Sequence, residues 1–521
     1  MAADFADEEF VREDANDFDV IIVGAGLTGL TCAYNILQKK TGLSVLIIEE
    51  NNEVGGRILP KAFSETYHAN FLQEHITDLI KTMDLNIDRR KIIDMRKRIL
   101  CTNYRPSQNL PKYYGAEVYS FLQMMEKEAI ALKLSTNTMH NEIEHLAETS
   151  VEELLRKIVY FSFARSLCRA YICSACAMRN LNDISVLWLL SVLNGALGLF
   201  NRLRIMFGDN NRYFIQGGVT KIAHKLLKNI LRFYGKIRYA EVVNEIKFND
   251  DRVYVLTEKN HFRCELVVIA VPPPMHNRII IKPSSQCLLN TQILYIPSKN
   301  VFFNVAYKNL HWNDNSIKDV VTTWDSNSNL NIVYDVTRSN SERFMLSGFL
   351  AEPDSTQTNR KGLFNTLNQC FETIDTSKYL QYKEYNHFSN DQMKGGSPMS
   401  VMMPTSINSY INYMGTTFER IFFASSEYAT NWPGTIDGAI EVGKMTAYSI
   451  LYRIRPQVLT SHEIASLKYV FYIIVMKYYF ALKINAPTPW KQQIFQNKNN
   501  QKIRASYLKF KHSAQKSDVE L

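Results

Sequence analysis

Residues 20–23, Val-Ile-Ile-Val, form an unbroken run of β-branched side chains, the pattern of a strand buried on both faces. Residues 45–48, Val-Leu-Ile-Ile, repeat it, and the segment between them is amphipathic with helical spacing. Strand, helix and strand within about 30 residues predict a βαβ unit with parallel strands. The periodicity then changes. A helical pattern ends near Ile87, and from 97 to about 210 helical spacing dominates, with long amphipathic runs at 151–178 and 184–197. Most apolar positions of those runs read as core, because Leu, Val and Trp at helical spacing need only packing to explain them. A helix over 221–231 precedes strands at 237–246, 252–257 and 265–271, the last stopped by Pro272 and Pro273. Residues 288–393 mix strand-like runs at 300–306, 331–336 and 344–350 with one helix over 362–372, and 420–439 reads as strand, turn and helix.

Composition adds bounds. A chain of 521 residues with 46% hydrophobic content is long enough for two or three packed units and too apolar for disorder. The net charge of +9 is modest and concentrated towards the C-terminus, so it does not suggest nucleic acid. The eight cysteines have irregular spacing, and residues 1–17 are acidic, unlike a secretory or mitochondrial presequence. An intracellular protein with free thiols is expected, cytoplasmic or peripheral to a membrane. Cys173 and Cys176, with Cys168 upstream, lack a neighbouring histidine or second cysteine pair, so packing is expected of them and no metal.

The candidate chemistry lies where the first strand ends. Gly24-x-Gly26-x-x-Gly29 follows it directly and opens the helix. Gly24 suits a tight turn, Gly26 a close approach of backbone to a pyrophosphate, and Gly29 close packing of helix on sheet. Glu49, at the end of the second strand, stands where an acidic side chain accepts from a ribose hydroxyl, which favours a dinucleotide without a ribose phosphate. Gly55, Gly56 and Arg57 then bring two glycines and a cation to a second approach, which NAD enzymes do not usually need.

With I-E-E-N-N-E-V-G-G-R in place, the chain resembles the flavin-dependent amine oxidase family of monoamine and polyamine oxidases. Further matches are residues 213–218, Tyr-Phe-Ile-Gln-Gly-Gly, the Val-Pro-Pro ending of 271–273, His311-Trp312, and the second signature at 420–427 and 432–439. The resemblance implies an α/β fold in which a Rossmann-like FAD-binding domain (18–90, 211–287 and 394–455) carries an inserted α+β substrate domain (91–210 and 288–393). It further implies that the Val242 backbone receives the adenine, that Glu427 lies near the ribityl chain or pyrophosphate, and that the helix start at Thr435 and Ile436 faces the isoalloxazine. An acidic tail (1–17), a C-terminal helical segment (456–490) and a disordered basic tail (491–521) complete the organisation. Residues 469–482 are apolar and aromatic, interrupted by Lys477, and fall short of the roughly 20 residues a span needs. The segment 467–490 reads as an interfacial helix or as one packed on the body.

Departures from the family bear on turnover. Counted back from Trp312, Phe302 occupies the position of the lysine that holds a water near the flavin. Lys299 is a weak substitute, since a shift of three along a strand reverses its face. Thr435 and Pro398 replace the two cage aromatics, His68-Ala69 replaces a paired glycine, and Ser397 replaces the cysteine that links the flavin, so FAD is expected to bind noncovalently. Three functions fit, in order of preference. The first is a slow FAD-dependent oxidation of a small amine with oxygen as acceptor. The second is a catalytically silent flavoprotein with a structural or regulatory role, and the third a flavin oxidase with a non-amine substrate. Substrate and oligomeric state are not legible in the sequence.

Overall fold

The computed structural model describes residues 16–467, apart from 59–67, 90–98, 103–104, 108–111, 135–139, 177, 179, 208–211, 250, 284–294, 299, 309–319, 324–329, 336–343, 352–355, 371–377, 387–398, 406–416 and 419. The chain opens with strand β1 (Asp17–Val23), helix α1 (Leu27–Leu37) and strand β2 (Val45–Ile48), as the apolar runs predict. All four β2 side chains are buried, because the strand is covered on both faces. Helix α2 (Glu74–Thr82) follows.

The run at 151–178 is not one helix. It splits into Val151–Ile158 and α3 (Ser162–Cys176), because Glu117, from the helix Lys112–Leu134, accepts hydrogen bonds from the backbone N–H groups of Tyr160 and Phe161. Helices α4 (Val186–Gly195) and α5 (Leu199–Phe207) come next. The stretch 97–210, read as helical, also holds two short strands, Ile99–Thr102 and Arg105–Ser107, which extend a sheet built mainly from residues beyond 300. After α6 (Thr220–Arg232), the strand expected over 237–246 is two strands, β3 (Lys236–Arg238) and Val243–Phe248. Ala240 takes a positive φ of 50° between them, and its N–H donates to the Asn51 carbonyl, which turns the chain off its line. Strand β4 (His261–Ile269) completes this region; β5 (Asn300–Tyr307) and β6 (Phe344–Ala351) follow, and β7 (Ile421–Phe423) and α7 (Ile436–Ile454) return to the first unit.

The first sheet places its members in the order Ile280–Lys282, Val243–Phe248, Val253–Thr257, β4, β1, β2, β3, with β7 parallel to the end of β4. Its centre is parallel: β1 lies between β4 and β2, and β2 beside β3. Helix α1 packs against α6 and α7 on one side of this sheet. Gly443 makes the α1–α7 contact close, since a Cβ there would lie 2.6 Å from the Thr28 carbonyl oxygen. The second sheet runs Gln381–Asn386, β5, β6, Leu330–Asp335, Val320–Thr323, Ile99–Thr102, Arg105–Ser107. One face of β5, with Val301, Phe303, Val305 and Tyr307, packs in a cluster with Leu363, Phe364 and Leu367 of the helix Thr356–Cys370. Its other face contributes Phe302 to the helical core of α3 and α4.

Cys168, Cys173 and Cys176 are buried in that helical core, and burial pushes the Cys168 and Cys176 thiols up to about 12. Among the described residues no group of three or more His, Cys, Asp or Glu side chains is arranged to hold a metal ion. Nor is any single described helix long and apolar enough to cross a membrane; α4 and the first part of α5 pass together on composition but are bent by 69°. The acidic stretch 1–15 and everything after Leu467 lie outside the described residues.

Candidate flavin site

The site is built where β1 and β2 end. Gly24 has φ +104°, and its N–H donates to the Ile48 carbonyl at 2.8 Å, so the tight turn between β1 and α1 needs glycine. A Cβ on Gly29 would lie 2.1 Å from the Gly24 carbonyl oxygen, and this close approach seats α1 on the sheet. Gly26 differs from both. It is the N-cap of α1, with ordinary φ −67° and ψ 174°, and a Cβ there would meet nothing within 4 Å. The open ground before Gly26, at a helix N-terminus whose first N–H groups have no partner within the helix, fits the pyrophosphate of a dinucleotide.

The second glycine pair packs onto the first. Gly55 N–H donates to Ala25 carbonyl at 2.9 Å, residues Gly26 and Gly55 form an isolated parallel bridge, and a Cβ on Gly56 would stand 3.1 Å from Gly26 Cα. Glu49 is buried behind this layer. One of its oxygens accepts from Ala25 N–H at 2.7 Å, the other from Asn51 N–H at 2.9 Å and the Asn51 amide at 2.8 Å. Three of about four acceptor positions are thus used, which fixes the carboxylate and leaves one for a ribose hydroxyl. Val242 is half-buried and follows Glu241, whose N–H donates to the Glu49 carbonyl at 3.0 Å, so its backbone lies beside the end of β2.

Arg57 carries this segment across to the far end of the chain. Its guanidinium forms a two-pronged ion pair with Glu427, at 2.5 and 2.9 Å, and donates to the Ser426 hydroxyl at 3.0 Å. Glu427 also accepts from the Ser425 and Ser426 hydroxyls and from Ser400 N–H at 3.1 Å. Burial alone would raise its pKa; Arg57 and these donors outweigh burial and hold it at about 2. Ser425 therefore has a physical role as a donor to Glu427.

Thr435 is the N-cap of α7: its hydroxyl accepts from Gly438 N–H at 3.3 Å and donates to the Trp432 carbonyl at 2.7 Å. Ile436, the first residue of α7, is half-buried. The loop before them is pinned by Trp432, whose N–H reaches the Gly195 carbonyl and whose indole reaches the Leu72 carbonyl, at 3.0 and 3.2 Å. Arg202 of α5, missed by the sequence reading, is buried at the same place and donates to the carbonyls of Ala175 and Pro433, both at 3.1 Å. An arginine inside the apolar pattern of α5, two residues before Arg204, was the available signal.

Asp437 was also missed. It sits at the second position of α7, 1% exposed, and accepts from the N–H of Ile76 at 2.8 Å in the first turn of α2, whose own N-cap Gln73 makes no side-chain capping bond. Burial pushes its carboxyl up to about 7; the Glu441 carboxylate adds to this, while the α2 N–H groups and Lys444 oppose it. The Tyr213 hydroxyl, pushed up to about 12 mainly by burial, also feels the Asp437 carboxylate. A raised carboxyl stabilises the fold fully below the ordinary value of 3.8 and loses that contribution as pH rises through about 7. Asp437→Asn keeps an acceptor for Ile76 and cannot ionise. Its thermal midpoint is expected to stay level where the parent's falls, with a difference on the order of 4 kcal/mol above neutrality. Parallel pH profiles would refute the assignment.

Phe302 is 1% exposed and meets Phe349 edge to face at 5.1 Å. It belongs to the same buried cluster as Tyr295, Met399, Val401 and Met402, so this position is apolar and filled by a ring. Phe302→Lys is expected to leave a buried ammonium and to cost about 3–5 kcal/mol in unfolding experiments, whereas Phe302→Leu costs about 1. Lys299, His311, Trp312, Ser397 and Pro398 lie outside the described residues. His68 and Ala69 belong to a short strand, His68–Asn70, paired with Arg212–Ile215.

A model of the family described as flavin containing amine oxidoreductase matches residues 27–451. The chain is 22% identical to amine oxidase [flavin-containing] A of Canis lupus familiaris over 479 residues, which cover 86% of this chain and 87% of that protein. It is 21% identical to amine oxidase [flavin-containing] B of Homo sapiens, covering 84% and 87%. Among solved structures, cyclohexylamine oxidase from Brevibacterium oxydans IH-35A superposes with a TM-score of 0.72 at 17% identity, covering 84% of this chain and 99% of that one. Putrescine oxidase bound to putrescine superposes with the same score at 18% identity and the same coverage.

Proposed function

The chain belongs to the flavin-containing amine oxidoreductase family, and from that premise we propose that it binds FAD noncovalently and slowly oxidises the C–N bond of a small amine with oxygen as acceptor. The observation that carries this reading is the Arg57–Glu427 pair, which ties the second glycine pair to the turn at 426–428 before the last helix across 370 residues, while Gly56 packs against Gly26. Gly26 and the α1 N-terminus receive the pyrophosphate, Glu49 a ribose hydroxyl, and the Val242 backbone the adenine. Glu427 with Arg57 fixes the turn nearest the ribityl chain, and Thr435 and Ile436 present the α7 N-terminus to the ring. Bound FAD would supply the hydride acceptor for the carbon next to nitrogen and the carrier of those electrons to oxygen. The protein's part is to orient the amine and keep water out. Phe302 excludes water but offers no hydrogen bond, and Thr435 caps a helix instead of walling the amine, so both help less than the residues they replace. Loss of one positioned group commonly costs about two to four decades in rate. Ser397 has no thiol to join the flavin.

The buried ring at Phe302 also favours the second reading, a flavoprotein without turnover. Two measurements separate the readings. Acid precipitation is expected to release the yellow colour into the supernatant; colour retained in the pellet would overturn noncovalent binding. Anaerobic mixing with a panel of monoamines and polyamines is expected to bleach the flavin with one class, and admitted oxygen to restore the colour slowly. A fully loaded protein that no amine bleaches would leave the silent flavoprotein or a non-amine substrate.

A further inference from the structure

We propose that the outer face of α6, with the adjoining end of α1, is a docking surface for an anionic membrane. Residues 221–240 contain six cations, Lys221, Lys225, Lys228, Arg232, Lys236 and Arg238, and no Asp or Glu. Helix α6 buries Ile222, Ala223, Leu226 and Ile230 in the core it shares with α1, which leaves Lys221, Lys225, Lys228 and Arg232 exposed at spacings of three and four along one stripe. Among the described residues none of these four is held in an ion pair, whereas elsewhere Lys39, Lys247, Arg263 and Lys282 each have a carboxylate within 4.0 Å.

A cationic stripe by itself is usually a solvated helix face. Two further observations separate this one. First, the cations are bordered by apolar and aromatic groups turned outward: Leu231 is 49% exposed, Tyr239 37% and Tyr234 91%. Tyr234 takes a left-handed φ of 64°, at a position after the helix that ordinarily falls to glycine, and this backbone holds the ring away from the body. Second, the chain leaves the described body at the same corner. Lys39, just past α1, is paired with Glu463 at 2.7 Å, and the last turn of α1 touches the turn after α6, where a Cβ on Gly235 would lie 2.6 Å from Leu37. The sequence that continues from there, residues 468–483, is apolar and aromatic, with Lys468, Lys477 and Lys483 and no acid.

Cations interleaved with Tyr and Leu suit the headgroup layer of a bilayer, where charge meets anionic lipid and the rings sit at the interface. Each lysine or arginine near such a surface contributes about five-fold in binding. The surface shares no residue with the flavin site, so failure here leaves the proposed reaction standing, and the reverse.

The test uses the full chain, sedimented with phosphatidylcholine vesicles with and without phosphatidylserine. Binding is expected only when phosphatidylserine is present, and is expected to weaken as salt rises. The triple variant Lys225→Gln, Lys228→Gln, Arg232→Gln is expected to lose about a hundred-fold in partition while keeping its flavin absorbance and thermal midpoint. Tyr234→Ser is expected to weaken binding and leave its salt dependence intact. Equal binding to both vesicle types, or a triple variant that sediments like the parent, would overturn the proposal, as would a parent that ignores vesicles and binds RNA through these same cations.

Discussion

A Gly26→Val chain is expected to fold normally and carry no flavin, while Gly29→Val is expected not to accumulate as folded protein. The two glycines are three residues apart in one motif, yet their surroundings differ. At Gly26 the backbone is ordinary and a Cβ points into open ground, so valine costs the chain about 1 kcal/mol at most, as a poorer helix cap. Whatever stands before that N-terminus must then meet the new side chain. At Gly29 a Cβ would fall 2.1 Å from the Gly24 carbonyl oxygen, 3.2 Å from Ile22 and 3.3 Å from Ala270. Two of these are fixed by the central parallel strands, so the overlap is relieved only by lifting α1 off the sheet, at about 3 kcal/mol or more. Absorbance of the purified protein, with its thermal midpoint, checks both halves. Full flavin occupancy in Gly26→Val would remove the glycine turn from the cofactor site.

The contrast shows what local sequence can express. Strand, glycines, helix and strand were legible because each apolar run corresponds to a strand buried on both faces, and because the tightest contact in the motif, Gly29 against the Gly24 carbonyl, spans only five residues. What escaped was tertiary. Nothing local marks the break at 159–161, since the carboxylate that terminates the helix there belongs to Glu117 on another helix. The run at 237–246 looks continuous because its turn is made by a positive φ at an alanine, Ala240, where no glycine announces it. Strands at 99–107 were hidden because they are short and find their partner at 321–323, more than two hundred residues away. In the site, Glu427 came from family resemblance and not from spacing. Asp437 was invisible because its task, capping α2, is defined only once α2 and α7 are packed together.

The Arg57–Glu427 pair gives the other large expected effect. Glu427 has a fully buried side chain, and Arg57 supplies its countercharge. In Arg57→Met the carboxylate would keep the hydroxyls of Ser425 and Ser426, the Ser400 N–H and its own backbone N–H, which satisfy hydrogen bonds but not charge. The expected cost at neutral pH is about 3–5 kcal/mol, together with loss of flavin. The pH dependence should reverse in sign. In the parent, a pKa held at about 2 against the ordinary 4.5 contributes stability above 4.5 that is lost as pH falls towards 2. Without the cation, burial raises the carboxyl above 4.5, and stability is then lost as pH rises through the new value. Adding Glu427→Gln to Arg57→Met removes the stranded charge, so the double variant is expected to regain most of the stability and none of the flavin. Thermal midpoints of parent, single and double variants from about pH 2 to about pH 8, with flavin occupancy read alongside, decide it. A single variant whose profile runs parallel to the parent's would show that Glu427 does not depend on Arg57. A double variant that regains flavin would show that the pair holds the fold together without holding the cofactor.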